Sequence, residues 1–140
     1  MFNISILPET QEGVPVCEII IGDHVETFPL QINFWSVVEY TRQWHDAINR
    51  IVSGGVEIVA ALIVDIQPPG ESIGLTWWPI YRSGDRIYIR QQLLFFNSLA
   101  KPFDIQNPYE SVRPRVKDPQ ISEWELPLNC LQKNGKPKKK

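Results

Sequence analysis

The sequence predicts an α+β fold: a mainly antiparallel sheet of about five to seven strands, with one principal amphipathic helix packed on one face. Three observations lead there. Short runs alternate apolar and polar residues near both ends of the chain, as half-buried strands do. One stretch, residues 34–52, repeats its apolar residues at helical spacing. Turn-forming residues punctuate the remaining apolar runs at short intervals.

Phe2, Ile4 and Ile6 alternate with Asn3 and Ser5, which predicts a first strand ending at Pro8. Residues 11–15 read as a loop and Val16–Ile21 as a second strand. Gly22-Asp23 supplies a tight turn into a short third strand, His24–Phe28, and Pro29 marks that strand as an edge because proline donates no ladder bond. In the helix, Phe34, Val37, Val38, Thr41, Trp44, Ile48, Ile51 and Val52 make the apolar stripe. Asn33 or Ser36 caps its start, and Ser53-Gly54-Gly55 ends it. The opposite face carries Glu39, Arg42, Gln43, Asp46 and Arg50, with Asp46 and Arg50 spaced to pair.

Val56–Ile66 is nearly all apolar, the mark of a central strand covered on both faces. Gln67-Pro68-Pro69-Gly70 breaks it. Ile73–Arg82 follows, then the turn Ser83-Gly84-Asp85, then a return strand over residues 86–96. In that strand Ile87 and Ile89 face one way, and Arg86, Tyr88 and Arg90 the other. From Lys101 onward, Pro102, Pro108, Pro114 and Pro119 interrupt a segment that wraps the body, pinned by Phe103, Ile105 and Tyr109. Ile121–Leu126 alternates like a last short strand. One helix cannot cover so wide a sheet, so the other face is covered by the proline-rich segment or left open to a partner.

The 140 residues suit one domain, residues 1–132, followed by a disordered basic tail over 133–140. No run reaches the ~18 apolar residues of a membrane helix, and the first ten residues lack the basic start of a secretory signal. Cys17 and Cys130 lie far apart with no C-x-x-C. They fit free thiols in a reducing compartment, or a single long-range bridge. The expected location is the cytoplasm. Five of the 14 basic residues fall in the tail, so residues 1–132 carry a net charge of −7. Within residues 1–81, only Arg42 and Arg50 oppose ten acids. Such a body disfavours nucleic acid and attracts basic partners.

Motifs for chemistry are missing. His24 and His45 belong to no metal-ligand spacing, and Cys17 has no base assigned to it by the sequence. Gly54-Gly55 follows a helix, where it stops the helix and cradles no phosphate. Asp23 with Glu26 and Glu123 with Glu125 are carboxylate pairs that solvated strand faces also produce. The expectation is a non-enzyme with no catalytic residue, metal or cofactor. An alternative reading makes the hairpin a nucleic-acid platform, with Trp78, Arg82, Arg86, Tyr88 and Arg90 sharing one face.

Several segments resemble those of bacterial contact-dependent growth inhibition (CDI) immunity proteins: Trp44–Ile48, Trp77-Trp78-Pro79-Ile80-Tyr81 before a hairpin, Pro102-Phe103-Asp104 with Asn107-Pro108-Tyr109, and Ile121-Ser122-Glu123-Trp124. They cover most of residues 34–126. The resemblance implies a cytoplasmic inhibitor of a cognate C-terminal toxin domain, commonly a nuclease, acting by stoichiometric occlusion without catalysis and with no membrane or specific nucleic-acid partner. The acidic body agrees, since charge complementarity to a basic toxin speeds encounter. The candidate acidic surface is Asp23, Glu26, Glu39, Asp46 and Glu71, and the candidate aromatic anchors are Trp78 and Tyr81. Trp77 and Trp78 alternate across their strand, so one is expected in the core and the other is free to face a partner.

Overall fold

A computed structural model describes residues 1–68 and 73–131. Glu71 and the basic tail therefore lie outside the described residues. The α+β architecture with one principal helix is what the chain adopts, with its eight strands divided between two antiparallel sheets.

The first sheet is a meander of Phe2–Gln11 (β1), Val14–Ile21 (β2) and His24–Pro29 (β3). Its turns are two residues long. Glu12 and Gly13 both take positive φ, 52° and 80°, the backbone twist that joins right-handed strands tightly. Gly22, at φ 61°, opens the second turn. The register sets Phe2 opposite Ile21, Ile4 opposite Ile19 and Ile6 opposite Cys17, which gathers all six on one face. Cys17, Ile19 and Ile21 are fully buried there.

Ser36 caps the helix Val37–Ser53 (α1) through a capping box: its hydroxyl accepts from the Glu39 amide, and the Glu39 carboxylate accepts from the Ser36 amide. The buried stripe is Tyr40, Trp44, Ala47, Ile48 and Ile51. The apolar pattern had placed Phe34 and Val38 on that stripe, but Phe34 precedes the helix and Val38 is exposed. Asp46 and Arg50 do not pair. Asp46 accepts the Tyr109 hydroxyl at 3.0 Å, and Arg50 lies over the Tyr109 ring.

The second sheet holds Glu57–Asp65 (β4), Gly74–Ser83 (β5), Arg86–Arg90 (β6), Gln92–Phe95 (β7) and Glu123–Pro127 (β8). The order is β4-β5-β6-β8, with β7 also on β5. The register of β5 is the same on both sides of the β6–β7 break: Ile80 faces Ile89, and Trp77 faces Gln92. The break lies opposite Trp78 and Pro79, where proline has no N–H for the ladder.

β4 is an edge strand and not the central strand its composition suggests. Its apolar residues are explained by cover on both faces and by α1, which closes the free edge with side chains. Gln43 acts as a one-residue strand: its Nε2 donates to the Ala61 carbonyl at 2.7 Å, and its Oε1 accepts the Ile63 amide at 2.8 Å. Trp44 Nε1 donates to the Ile63 carbonyl, Arg50 Nε to the Val59 carbonyl, and the Tyr40 hydroxyl accepts the Ile66 amide. Buried backbone groups need such partners. Gln43→Ala is expected to cost about 1–3 kcal/mol, because an amide and a carbonyl of β4 lose their partner. Urea denaturation reads the loss, and sedimentation reads any association through the reopened edge.

Alternation divides the second sheet cleanly. One face presents Leu62, Trp78, Ile80, Ile87, Ile89 and Trp124, and the first sheet meets it: the His24 ring lies 4.7 Å from Trp124 and 6.4 Å from Trp78. The other face presents Trp77, Tyr81, Tyr88, Arg90 and Glu123. The proline-rich segment covers it, the first of the two alternatives the sequence left open. Phe103 meets Trp77 edge-on at 6.3 Å and stacks on Phe96, while Tyr81 donates to the Arg113 carbonyl.

Candidate functional site

The hairpin face proposed for nucleic acid does not form as one surface. Trp78 and Arg82 point to one side of the sheet, and Arg86, Tyr88 and Arg90 to the other. The arginines also serve the fold. Arg82 donates to the carbonyls of Ile51 and Val52 at the end of α1, where the helix dipole favours a cation, and to that of Gly84. Arg86 pairs with Glu125 at 2.9 Å. Arg90, nearly buried, pairs with Glu123 at 2.7 Å and donates to the Val116 carbonyl. Arg115 completes the group: it grips both Glu123 oxygens at 2.8 Å and lies 3.7 Å over the Tyr88 ring. The carboxyl of Glu123 is held below its ordinary range, first by the Arg115 hydrogen bond and then, against the effect of burial, by that of Arg90. The carboxylate pair Glu123 and Glu125 is thus a pair of arginine partners. Sequence reading missed Arg115, whose 25-residue separation from Arg90 hides their common partner.

The candidate anchors are buried in the chain's own core. Trp78 is 0% exposed, and so is Trp77, so the expected division between core and surface does not occur. Both faces of β5 are covered, and alternation then assigns the two rings to two different buried layers. Tyr81 is 7% exposed with its hydroxyl bound to the Arg113 carbonyl. Neither Trp78 nor Tyr81 is open to a partner in this conformation.

The acidic candidates fall in two groups. Asp23 is exposed at the β2–β3 turn. Glu26 is half-buried on β3, near His24 Nε2 at 3.2 Å and Gln91 Nε2 at 3.2 Å. Glu39 and Asp46 lie on the solvent side of α1, engaged with the Ser36 amide and the Tyr109 hydroxyl respectively. Among the described residues no hydrogen bond or ion pair joins the two groups. Sequence reading also overlooked apolar residues left at the surface: Ile73, Leu93 and Phe95 at one end of the second sheet, and Ile32, Phe34 and Val38 around the start of α1. The unbroken run Leu93–Phe96, without a charge, was the available signal for the first set.

Among the described residues, no group of three or more His, Cys, Asp or Glu side chains converges as metal ligands. Cys17 and Cys130 are free thiols. Burial, with a smaller contribution from Glu18, pushes the Cys17 thiol up to about 12, which keeps it protonated and a poor nucleophile. A cavity of about 550 Å³ is lined by Arg50, Arg82, Arg115, Tyr81, Tyr88 and Glu57, three guanidinium groups to one carboxylate. No described helix is long and apolar enough to cross a membrane.

The family model described as the CdiI N-terminal domain matches residues 30–133, more than half of the chain. This chain belongs to the CdiI family. The match confirms the CDI immunity resemblance read from the sequence, and it begins just after β3, so the family span contains α1 and the whole second sheet. A solved structure described as the CdiA-CT/CdiI toxin and immunity complex from Enterobacter cloacae shares the fold, with a TM-score of 0.80 and 24% identity. It covers 95% of this CdiI chain and 94% of that one, so the likeness extends into the three-stranded sheet. No curated protein matches the chain.

Proposed function

We propose that this CdiI-family chain is an immunity protein that binds the toxin domain of its cognate CDI effector and neutralises it by stoichiometric occlusion, without catalysis. The family match over residues 30–133 carries this reading. The Enterobacter cloacae protein of the same fold is described in complex with its toxin, and the partner proposed here is of that kind. We further propose that the toxin is a basic nuclease and that the encounter takes place in the cytoplasm. The exposed carboxylates Asp23, Glu39 and Asp46, with the half-buried Glu26 on the same hairpin as Asp23, support a basic partner, because an acidic surface steers a cationic protein and repels like-charged ones. Glu71 belongs to the same proposal on its charge alone.

The test is co-expression of the full chain with the toxin domain encoded immediately upstream. The expected result is rescued growth and a one-to-one complex by native mass spectrometry, whose association rate falls as salt rises. Nucleic-acid cleavage by the toxin alone, lost on adding an equimolar amount of this chain, establishes the nuclease. A toxin that still kills in the presence of a well-folded, equimolar partner overturns the reading.

A further inference from the structure

We propose that the open edge of β7 is a strand-addition site, and that the partner toxin domain fills it with an extended segment; this rests on the immunity reading above. The two sheets together have five free edges, and four are guarded in ways that prevent pairing with another chain. β1 carries Pro8 and a register irregularity between Ile6 and Thr10. β3 ends in Pro29, with His24 and Glu26 along it. β4 is closed by Tyr40, Gln43, Trp44 and Arg50 of α1. β8 carries Glu123, Glu125 and Pro127. β7, with the sequence Gln-Leu-Leu-Phe, has no charge, no proline and no register shift against β5.

The ladder sets what this edge offers. The Phe96 amide donates to the Ile73 carbonyl at 2.8 Å, so residues 92, 94 and 96 bond inward to β5. The backbone of Leu93 and Phe95 therefore points outward. β8 pairs with β6 only as far as Glu123 opposite Arg90 and does not reach them. The Ser98 hydroxyl donates to the Phe95 carbonyl, which leaves the amides of Leu93 and Phe95 and the Leu93 carbonyl without a partner among the described residues. The side chains of Leu93 and Phe95 are 53% and 41% exposed on one face of this edge. On the other face a cavity of about 400 Å³ is lined by Tyr81, Arg90, Gln92, Arg113, Val116 and Ile121. Arg113 donates to the Ser98 hydroxyl and has no ion pair among the described residues.

An extended segment seated here alternates its side chains between these surroundings. One side meets Leu93 and Phe95 and calls for apolar residues. The other enters the cavity beside Arg113 and calls for a carboxylate. A second copy of this chain fits poorly, because two-fold pairing of β7 edges brings two uncompensated Arg113 side chains to one seam.

Amide hydrogen exchange on the full chain, alone and bound to the upstream-encoded toxin domain, tests the site. The expected result is that Leu93 and Phe95 exchange about tenfold slower or more in the complex, with little change along β4. Leu93→Pro removes one outward donor without touching the β5 ladder or the charge. It is expected to weaken toxin binding about tenfold or more while the thermal melt stays close to wild type. If the complex forms and protection falls only on α1 and the β2–β3 hairpin, the edge is not the site although the immunity reading stands. If the free chain shows concentration-dependent protection at Leu93, the occupant is a second copy and the proposal fails. If no complex forms, the immunity reading and this one fall together.

Discussion

Replacing Glu123 with alanine is expected to lower stability by about 3 kcal/mol, the low end for breaking a buried ion pair, since this carboxylate keeps some contact with solvent. The loss comes less from the missing attraction than from what stays behind. Arg90, with its side chain 9% exposed, is left without its carboxylate, and Arg115 loses both bonds that hold it over Tyr88. Since Arg90 and Arg115 both anchor the segment running from Val116 back to β8, amide exchange near Val116 is expected to rise along with the lower urea midpoint. The pH dependence follows from the same pairing. The folded-state pKa of Glu123 lies below its ordinary value of 4.5, so its contribution is complete above that value and is lost as pH falls through the lower folded pKa. The stability gap between wild type and Glu123→Gln is therefore expected to be constant near neutrality and to shrink below about pH 4.5. A gap that stays constant to lower pH contradicts an ionised Glu123 as the centre of this network.

Local features were the legible ones. Glycine at Gly22 and Gly84 announces turns because positive φ is cheap there, and both sit where the strands reverse. Ser36 and Glu39 encode the helix start within four residues. The helix phase was harder to read. Val37, Val38 and Thr41 sustain an apolar stripe on paper, whereas Tyr40 and Ala47 mark the stripe that is buried. What selects between them is the β4 edge, whose carbonyls accept from Gln43, Trp44 and Arg50, together with the Ile66 amide just beyond it, which donates to the Tyr40 hydroxyl. These contacts span up to 26 residues, and no periodicity records them. The same long-range closure made an edge strand look central. At the candidate site the acids were visible as composition, but their division between α1 and the β2–β3 hairpin depends on tertiary packing. The aromatic anchors misled because a sheet covered on both faces buries every residue of β5 from Leu75 to Tyr81 except the half-buried Thr76.

Trp78→Ala is expected to be the most destabilising single change, at about 3–5 kcal/mol, because a fully buried indole is removed from between the sheets. Its neighbours cannot all follow it inward. Trp124 is held to β6 by the β8 ladder, and Leu62 belongs to β4, whose far edge is bonded to α1. Trp78→Phe separates volume from polarity. The indole Nε1 is the one buried side-chain donor without a partner among the described residues, so phenylalanine removes an unmet hydrogen bond together with part of the ring. The two effects oppose each other, and Trp78→Phe is expected to cost about 1–2 kcal/mol at most. That smaller loss makes it the useful variant for function. An indole enclosed by this chain's own side chains acts on a partner only through the folded population. Trp78→Phe, checked to be folded by near-ultraviolet circular dichroism, is therefore expected to bind the toxin domain as tightly as wild type. A tenfold loss of affinity with the fold intact would show instead that complex formation opens the contact between β3 and the second sheet, and that Trp78 is presented to the toxin after all.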